Sequence, residues 1–207
     1  MSLGIHTMPL GPLQANCYVI EKDGKALVVD PGAEAPKIKA LLVKRGLTGE
    51  AVLLTHGHGD HIEAVRHLSL PVYMHADDEL CLYDASRNLS EYAGMSFSMK
   101  KGTLSVTTVA DGAVIPFAGE TVRVIHTPGH TKGGVCYLIG SDLFSGDTLF
   151  RRSVGRSDFP GGSHKQLIAS VKEKLFILSD NTKVYPGHGP ASTIGDEKRH
   201  NPFFDEG

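Results

Sequence analysis

"AVLLTHGHGDH", Ala51 to His61, runs an apolar segment straight into three imidazoles and a carboxylate separated by glycines. In an aqueous loop this crowding adds nothing to folding. In a packed core each polar group would be costly to desolvate. A metal ion is the agent that holds such groups together. His56 and His58 are two residues apart, so an extended backbone points both to one side. Gly57 and Gly59 remove side-chain bulk where the chain must turn closely around an ion. Asp60 and His61 open a following helix and face elsewhere. One segment can therefore offer two ligands to one ion and two to a neighbour.

Three later positions repeat the theme: His130 in "TPGHT", Asp147 in "FSGDT" and His188 in "YPGHGP". Each is a lone ligand type beside glycine where a strand ends. A carboxylate can bridge two ions, so His56, His58, His130 and Asp147 suffice for one site, and Asp60, His61, Asp147 and His188 for the other. Three or four protein ligands per ion leave room for shared solvent, which marks a catalytic rather than a structural centre. The expectation is two divalent metal ions, zinc first, with iron or manganese as alternatives.

A chain of 207 residues can bury one sizeable core, so a single domain over 1–207 is expected. Hydrophobic residues make up 41% and charged residues 21%, the balance of an ordinary globular protein. The net charge of -2 points to neither nucleic acid nor an anionic membrane surface. No apolar run reaches the length of a membrane span, and the start lacks the pattern of a secretory signal. Cys17, Cys81 and Cys136 are widely spaced without a framework pattern, which argues for reduced thiols and a cytoplasmic address.

The chain reads as alternating strands and helices. Residues 15–32 form two strands joined at Asp23-Gly24. A helix follows, with Ile38, Leu41, Leu42 and Arg45 at helical spacing and Gly46 as its stop. Residues 50–55 are a buried strand, 61–68 a short helix, 71–76 a strand and 76–94 a broken helix. Three short strands fill 104–130, and two more lie in "GGVCYLIG" and "DLFSGDT". In "SHKQLIASVKEKLFIL", Ser163 and Gln166 make a capping box, and Leu167, Val171, Leu175 and Leu178 form one stripe. "TKVYPGHGP" holds the last strand. This order suggests two sheets with helices on their outer faces, and polar clusters where strands end.

The motifs "NCY", "VVDPG", "LLTHGHGDH", "HTPGHT", "FSGDTLF", "VGRSDFPGG", "VYPGHGP" and "HNPF" together resemble the metallo-β-lactamase superfamily, and within it the glyoxalase II-like (hydroxyacylglutathione hydrolase-like) branch. The resemblance implies an α/β fold, a four-layer αββα sandwich, with the ligand set given above. It also implies that Asp30, in "DPG", supports the metal loop from behind. True β-lactamases of this fold place a cysteine where Asp147 stands, and nucleases of the superfamily add an inserted domain or a basic arm. Only nineteen residues follow His188, so the helical domain with which glyoxalase II grips glutathione is expected to be missing. Lys132 and Gly134 stand where the branch commonly has proline and a larger residue, and Lys132 is a candidate contact for an acidic substrate group. Arg156, in "VGRSDFPGG", either pairs with Asp158 to pin its loop or holds a substrate carboxylate.

The leading expectation is a thioesterase acting on small hydroxyacyl-thiol substrates such as lactoylglutathione, by attack of a bridging hydroxide on the carbonyl, with Asp60 and Asp147 as catalytic carboxylates. A thiolate leaves readily, so no dedicated general acid is required. The alternative is a mononuclear iron persulfide dioxygenase, whose motif resembles "VGRSDFPGG". A metal-binding protein without catalysis is the third reading.

Overall fold

The computed structural model describes residues 3–92 and 94–205, and the chain falls into two compact units, residues 1–108 and 109–207. The first unit is built on a six-stranded sheet: β1 (Gly4–Leu10), β2 (Ala15–Lys22), β3 (Lys25–Val29), β4 (Thr48–Leu53), β5 (Val72–His75) and β6 (Val106–Val109), in that spatial order. β1, β2 and β3 pair antiparallel, and β3, β4 and β5 pair parallel. The β3-to-β4 crossover carries α1 (Ala35–Arg45), closed by Gly46 at φ 65° as its sequence signals. After β4 come the one-turn α2 (Gly59–Ile62) and a 3₁₀ turn over Glu63–His67. In β2, Cys17 and Val19 join the core cluster, and the alternate Tyr18 and Ile20 are equally buried. A strand buried on both faces explains why this stretch is a near-continuous apolar run.

The second unit repeats the plan. Its sheet holds β7 (Val114–Phe117), β8 (Glu120–His126), β9 (Val135–Ile139), β10 (Asp142–Gly146), β13 (Lys183–Pro186) and β14 (Ser192–Thr193), ordered β14-β13-β10-β9-β8-β7. β7 to β10 form an antiparallel meander, and β10 pairs parallel with β13. The β10-to-β13 crossover contains a small hairpin, β11 (Leu149–Phe150) and β12 (Ser153–Val154), followed by α3 (His164–Ser170). The chain then ends on α4 (Ile194–His200). In both units an antiparallel pair is followed by a parallel crossover, and the polar motifs lie just beyond the carboxyl ends of the parallel strands. That is where open α/β sheets leave room for a site.

Two helices depart from the sequence reading. Over 76–94 only a 3₁₀ turn forms, Ala76–Leu82, and the rest is irregular. The side chains there capture backbone groups that a helix would need. Asn88 Nδ2 donates to Cys81 O and Phe97 O, and Asp84 Oδ1 accepts from the Ser86 amide and hydroxyl. Such local bonds compete with helix formation. The helix from Ser163 changes pitch: after α3 the chain makes a π-turn over Val171–Leu175, with Phe176 N donating to Val171 O. Its stripe still works as expected, because Leu167, Val171 and Leu175 are fully buried in the core of this unit. Among the described residues, no helix is long and apolar enough to cross a membrane.

Leu167→Ala should therefore destabilise the protein by about 2–5 kcal/mol in chemical denaturation. The neighbouring exposed Lys165→Ala should stay within roughly 0.5 kcal/mol of wild type.

Candidate metal centre

In the first unit the site begins at the end of β3. Asp30 turns the chain with φ 48°, a left-handed conformation uncommon for a non-glycine, and only 2% of it is exposed. Its carboxylate accepts from Thr55 N at 2.8 Å, from Thr55 Oγ1 at 2.6 Å and from His61 Nδ1 at 3.1 Å. Having given its proton to Asp30, Thr55 Oγ1 accepts from His56 Nδ1 at 3.1 Å. One carboxylate thus orients two histidines by their Nδ1–H groups, which makes Nε2 the nitrogen each could offer to a metal. The imidazoles are packed together: the His56 ring centroid lies 4.7 Å from that of His58 and 4.3 Å from that of His61. Ligand atoms of Asp30, His56 and His61 all lie within 4.8 Å of one another. Asp60 adds a carboxylate oxygen 3.6 Å from His61 Nε2.

The loop is also held from a side the sequence does not reveal. Buried Asp78, in the unremarkable run "HADDEL", accepts from Gly57 N at 3.0 Å. A Cβ on residue 57 would lie 2.5 Å from the Cβ of Cys81. Gly57 is thus required by the approach of the 3₁₀ turn as well as by the tight turn its sequence suggests. Burial, and then the Asp78 charge, push the Cys81 thiol up to about 12, so it is an inert packing group.

In the second unit, His130, Asp147 and His188 follow β8, β10 and β13. His130 Nε2 and His188 Nε2 lie 3.6 and 3.7 Å from the same oxygen, Asp147 Oδ2. These separations are too long for hydrogen bonds. They suit imidazoles that each share a metal ion with the carboxylate, every ligand atom about 2.0–2.2 Å from its ion. His130 Nδ1–H donates to Arg156 O at 2.6 Å, so Nε2 is again the nitrogen it could offer to a metal. Gly155 permits this, because a Cβ there would sit 1.8 Å from Asp147 O. Imidazole nitrogens and carboxylate oxygens, oriented from behind and mostly buried, fit a divalent transition ion.

Residues 10–188 match the metallo-beta-lactamase superfamily. The chain belongs to this superfamily. Within it, the probable metallo-hydrolase YqgX of Bacillus subtilis is 39% identical over 95% of both chains. Hydroxyacylglutathione hydrolase GloC of Haemophilus influenzae is 31% identical over 98% of both. Among solved structures, the BLEG-1 B3 metallo-beta-lactamase superposes with TM-score 0.90 at 39% identity, covering 97% of this chain and 99% of that one. TTHA1623 in a di-iron-bound form gives 0.82 at 43%, covering 96% and 99%. The α/β metallo-β-lactamase fold expected from the sequence motifs is the one observed, and its His/Asp clusters are those of a metallo-hydrolase superfamily.

The side chains of the two candidate substrate contacts are engaged or exposed as follows. Arg156 donates to both oxygens of Asp158, at 2.8 and 2.7 Å, and its guanidinium lies 3.8 Å from the Phe159 ring centroid. That fork holds the Asp158 carboxyl down at about 2. Lys132 is exposed, and its carbonyl lies 2.9 Å from His126 Nε2. His6, His75 and His200 are engaged with carboxylates of Glu21, Asp77 and Asp196.

The tail motif "HNPF" has a physical role in the second unit. Asn201 Nδ2 donates to Ser153 O at 3.0 Å and to Glu197 Oε2 at 2.9 Å, with a longer contact of 3.5 Å to Phe150 O. Glu197, fully buried, also accepts from Arg152 N at 2.8 Å. The pair clamps the β11–β12 hairpin, which starts two residues after Asp147 and sets Phe150 edge-on to His188 at 6.2 Å. Asn201→Ala should leave buried polar groups unsatisfied and cost about 1–3 kcal/mol. Hydrogen exchange should locate the loosening in residues 149–154, with β2 and β3 unchanged.

Proposed function

We propose that the protein is a dinuclear metal-dependent hydrolase of small thioesters, acting as one catalytic domain in the cytoplasm, with His56, His58, Asp60, His61, His130, Asp147 and His188 as ligands. The observation that carries this reading is the shared Asp147 oxygen, approached by the Nε2 atoms of two histidines. Two imidazoles facing one carboxylate are what a bridging ligand needs, each imidazole sharing its own ion with Asp147, and this supports a pair of ions. Zinc is the first candidate metal, and the di-iron form of TTHA1623 keeps iron close behind. The likeness to GloC supports hydroxyacyl thioesters of a small thiol carrier, lactoylglutathione among them, as the substrate class.

When bound, such ions polarise a carbonyl and make water nucleophilic near neutral pH. The chain's own part is to hold the reacting groups in place. Asp30, through Thr55 and His61, keeps the imidazoles aimed, and the Arg156 carbonyl does the same for His130. Asp60 is positioned to orient the attacking water. The water oxygen bonds to the acyl carbon, the carbon–sulfur bond breaks, and sulfur leaves as a thiolate that then takes a proton. Because a thiol's pKa is near 8–9, that departure needs no general acid. Lys132 is the candidate to meet an acidic group on the thiol carrier. Arg156 would have to release Asp158 to do so, which favours loop pinning as its role.

A second reading rests on one observation. The 0.90 likeness to BLEG-1 makes a β-lactam amide a possible scissile bond, although the sequence argument from the missing cysteine set true β-lactamases aside. Metal-reconstituted protein should therefore be assayed on lactoylglutathione, a chromogenic cephalosporin and glutathione persulfide. We expect close to two ions per chain by elemental analysis, and turnover of the thioester well above the other two. Asp147→Ala should empty both sites and abolish turnover, and His61→Ala should deplete one. A single iron with oxygen consumed on persulfide would establish the dioxygenase instead, and cephalosporin turnover exceeding that of the thioester would establish the lactamase.

A further inference from the structure

Beside the metal-binding motif the first unit contains a cavity of about 100 Å³ that the function above does not use. Its wall is mainly aliphatic: Leu10 from the end of β1, Pro12 and Leu13 from the β1–β2 turn, Ala33 from the loop before α1, and Met95 from the irregular segment after the 3₁₀ turn. Asp60, a ligand in the proposed centre, also lines it. The other charged wall residue, Glu63, is already paired with Arg66. Leu13 is 54% exposed and Met95 38%, so both large apolar side chains that line the cavity are also accessible from solvent.

We propose that this cavity receives the acyl side chain of the thioester, and that Leu13, Ala33 and Met95 set the enzyme's preference for short, uncharged aliphatic acyl groups. The inference rests on the hydrolase reading and narrows its acyl group, seating the short carbon chain of a small acyl or hydroxyacyl group in this cavity. Placement supports it: a chain seated here lies against Asp60, whose carboxylate belongs to the reacting centre. Chemistry sets the class. An aliphatic wall with no basic side chain among its lining residues favours methylenes and gives an acidic acyl group no partner. Volume sets the length. A cavity of about 150 Å³ holds benzene, so about 100 Å³ holds roughly four carbon-sized groups.

The test uses a series of N-acetylcysteamine thioesters, with acetyl, propionyl, butyryl, hexanoyl and succinyl groups, on the metal-loaded full chain. Each methylene buried should raise kcat/KM by roughly fourfold up to butyryl, after which the gain should stop. Succinyl should fall well below butyryl. Leu13→Ala and Met95→Ala lie at exposed positions that the fold tolerates, and each should flatten the series. Ala33→Leu should fill the cavity and make acetyl the preferred group. Calorimetry with the matching non-hydrolysable thioether ketones gives a readout independent of turnover, and should show the same order of affinities. Thioester hydrolysis with no acyl-length dependence, unaltered by these variants, would overturn this inference and leave the hydrolase reading standing. Length-dependent ketone binding without hydrolysis of any thioester would support the cavity and overturn the hydrolase reading. Flat ketone binding with no hydrolysis would overturn both.

Discussion

The organisation of the first unit depends on one buried carboxylate. Asp30 sits where β3 ends, strained into a left-handed turn, and receives three hydrogen bonds from the segment that follows β4. A buried carboxylate without such partners would be strongly disfavoured. With them it joins the end of one parallel strand to the beginning of the next loop. Through Thr55 it also sets the ring of His56. Charged donors and acceptors of this kind become stronger away from water, so the histidines are held before any ligand arrives.

The second unit reaches the same end with different parts. There the orienting group for His130 is a backbone carbonyl, Arg156 O, delivered by a loop that only glycine at position 155 allows so close to Asp147. That loop is in turn anchored by the Glu197–Asn201 pair on the final helix. A carbonyl cannot ionise, so it holds His130 over a wide pH range. Both units use the carboxyl ends of parallel strands, because backbone groups there are no longer tied into the ladder and side chains can converge.

Much of this was legible in the sequence, for identifiable reasons. "VVDPG" and "LLTHGHGDH" join an apolar strand to a polar loop so abruptly that both the strand and its site can be read from them. The stripe Leu167, Val171, Leu175 survives a change of helix pitch, since core burial depends on which face is apolar and tolerates a local π-turn. The sequence suggests a broken helix over 76–94, and only its first part turns, as 3₁₀, because composition does not show where Asn88 and Asp84 will find backbone partners. Asp78 and Thr55 were missed for a related reason. Their roles lie in tertiary contacts to residues 57 and 30, and neither position carries a local signal. Asp30, by contrast, was inferred through its motif, and its three donors now give that motif a physical basis.

The central claim is that Asp30 holds the histidine cluster ready for metal. The most direct test is the zinc affinity of Asp30→Asn, measured by competition with a chromophoric chelator, beside a crystal structure of the variant. Asparagine matches the shape but loses the charge, and its amide cannot accept from Thr55 and His61 as two carboxylate oxygens do. The expected result is a metal affinity weakened by about 10–100-fold, with the His61 ring turned from its wild-type orientation. Unchanged affinity with the histidines in place would contradict the account and would mean that the loop organises itself without the buried charge.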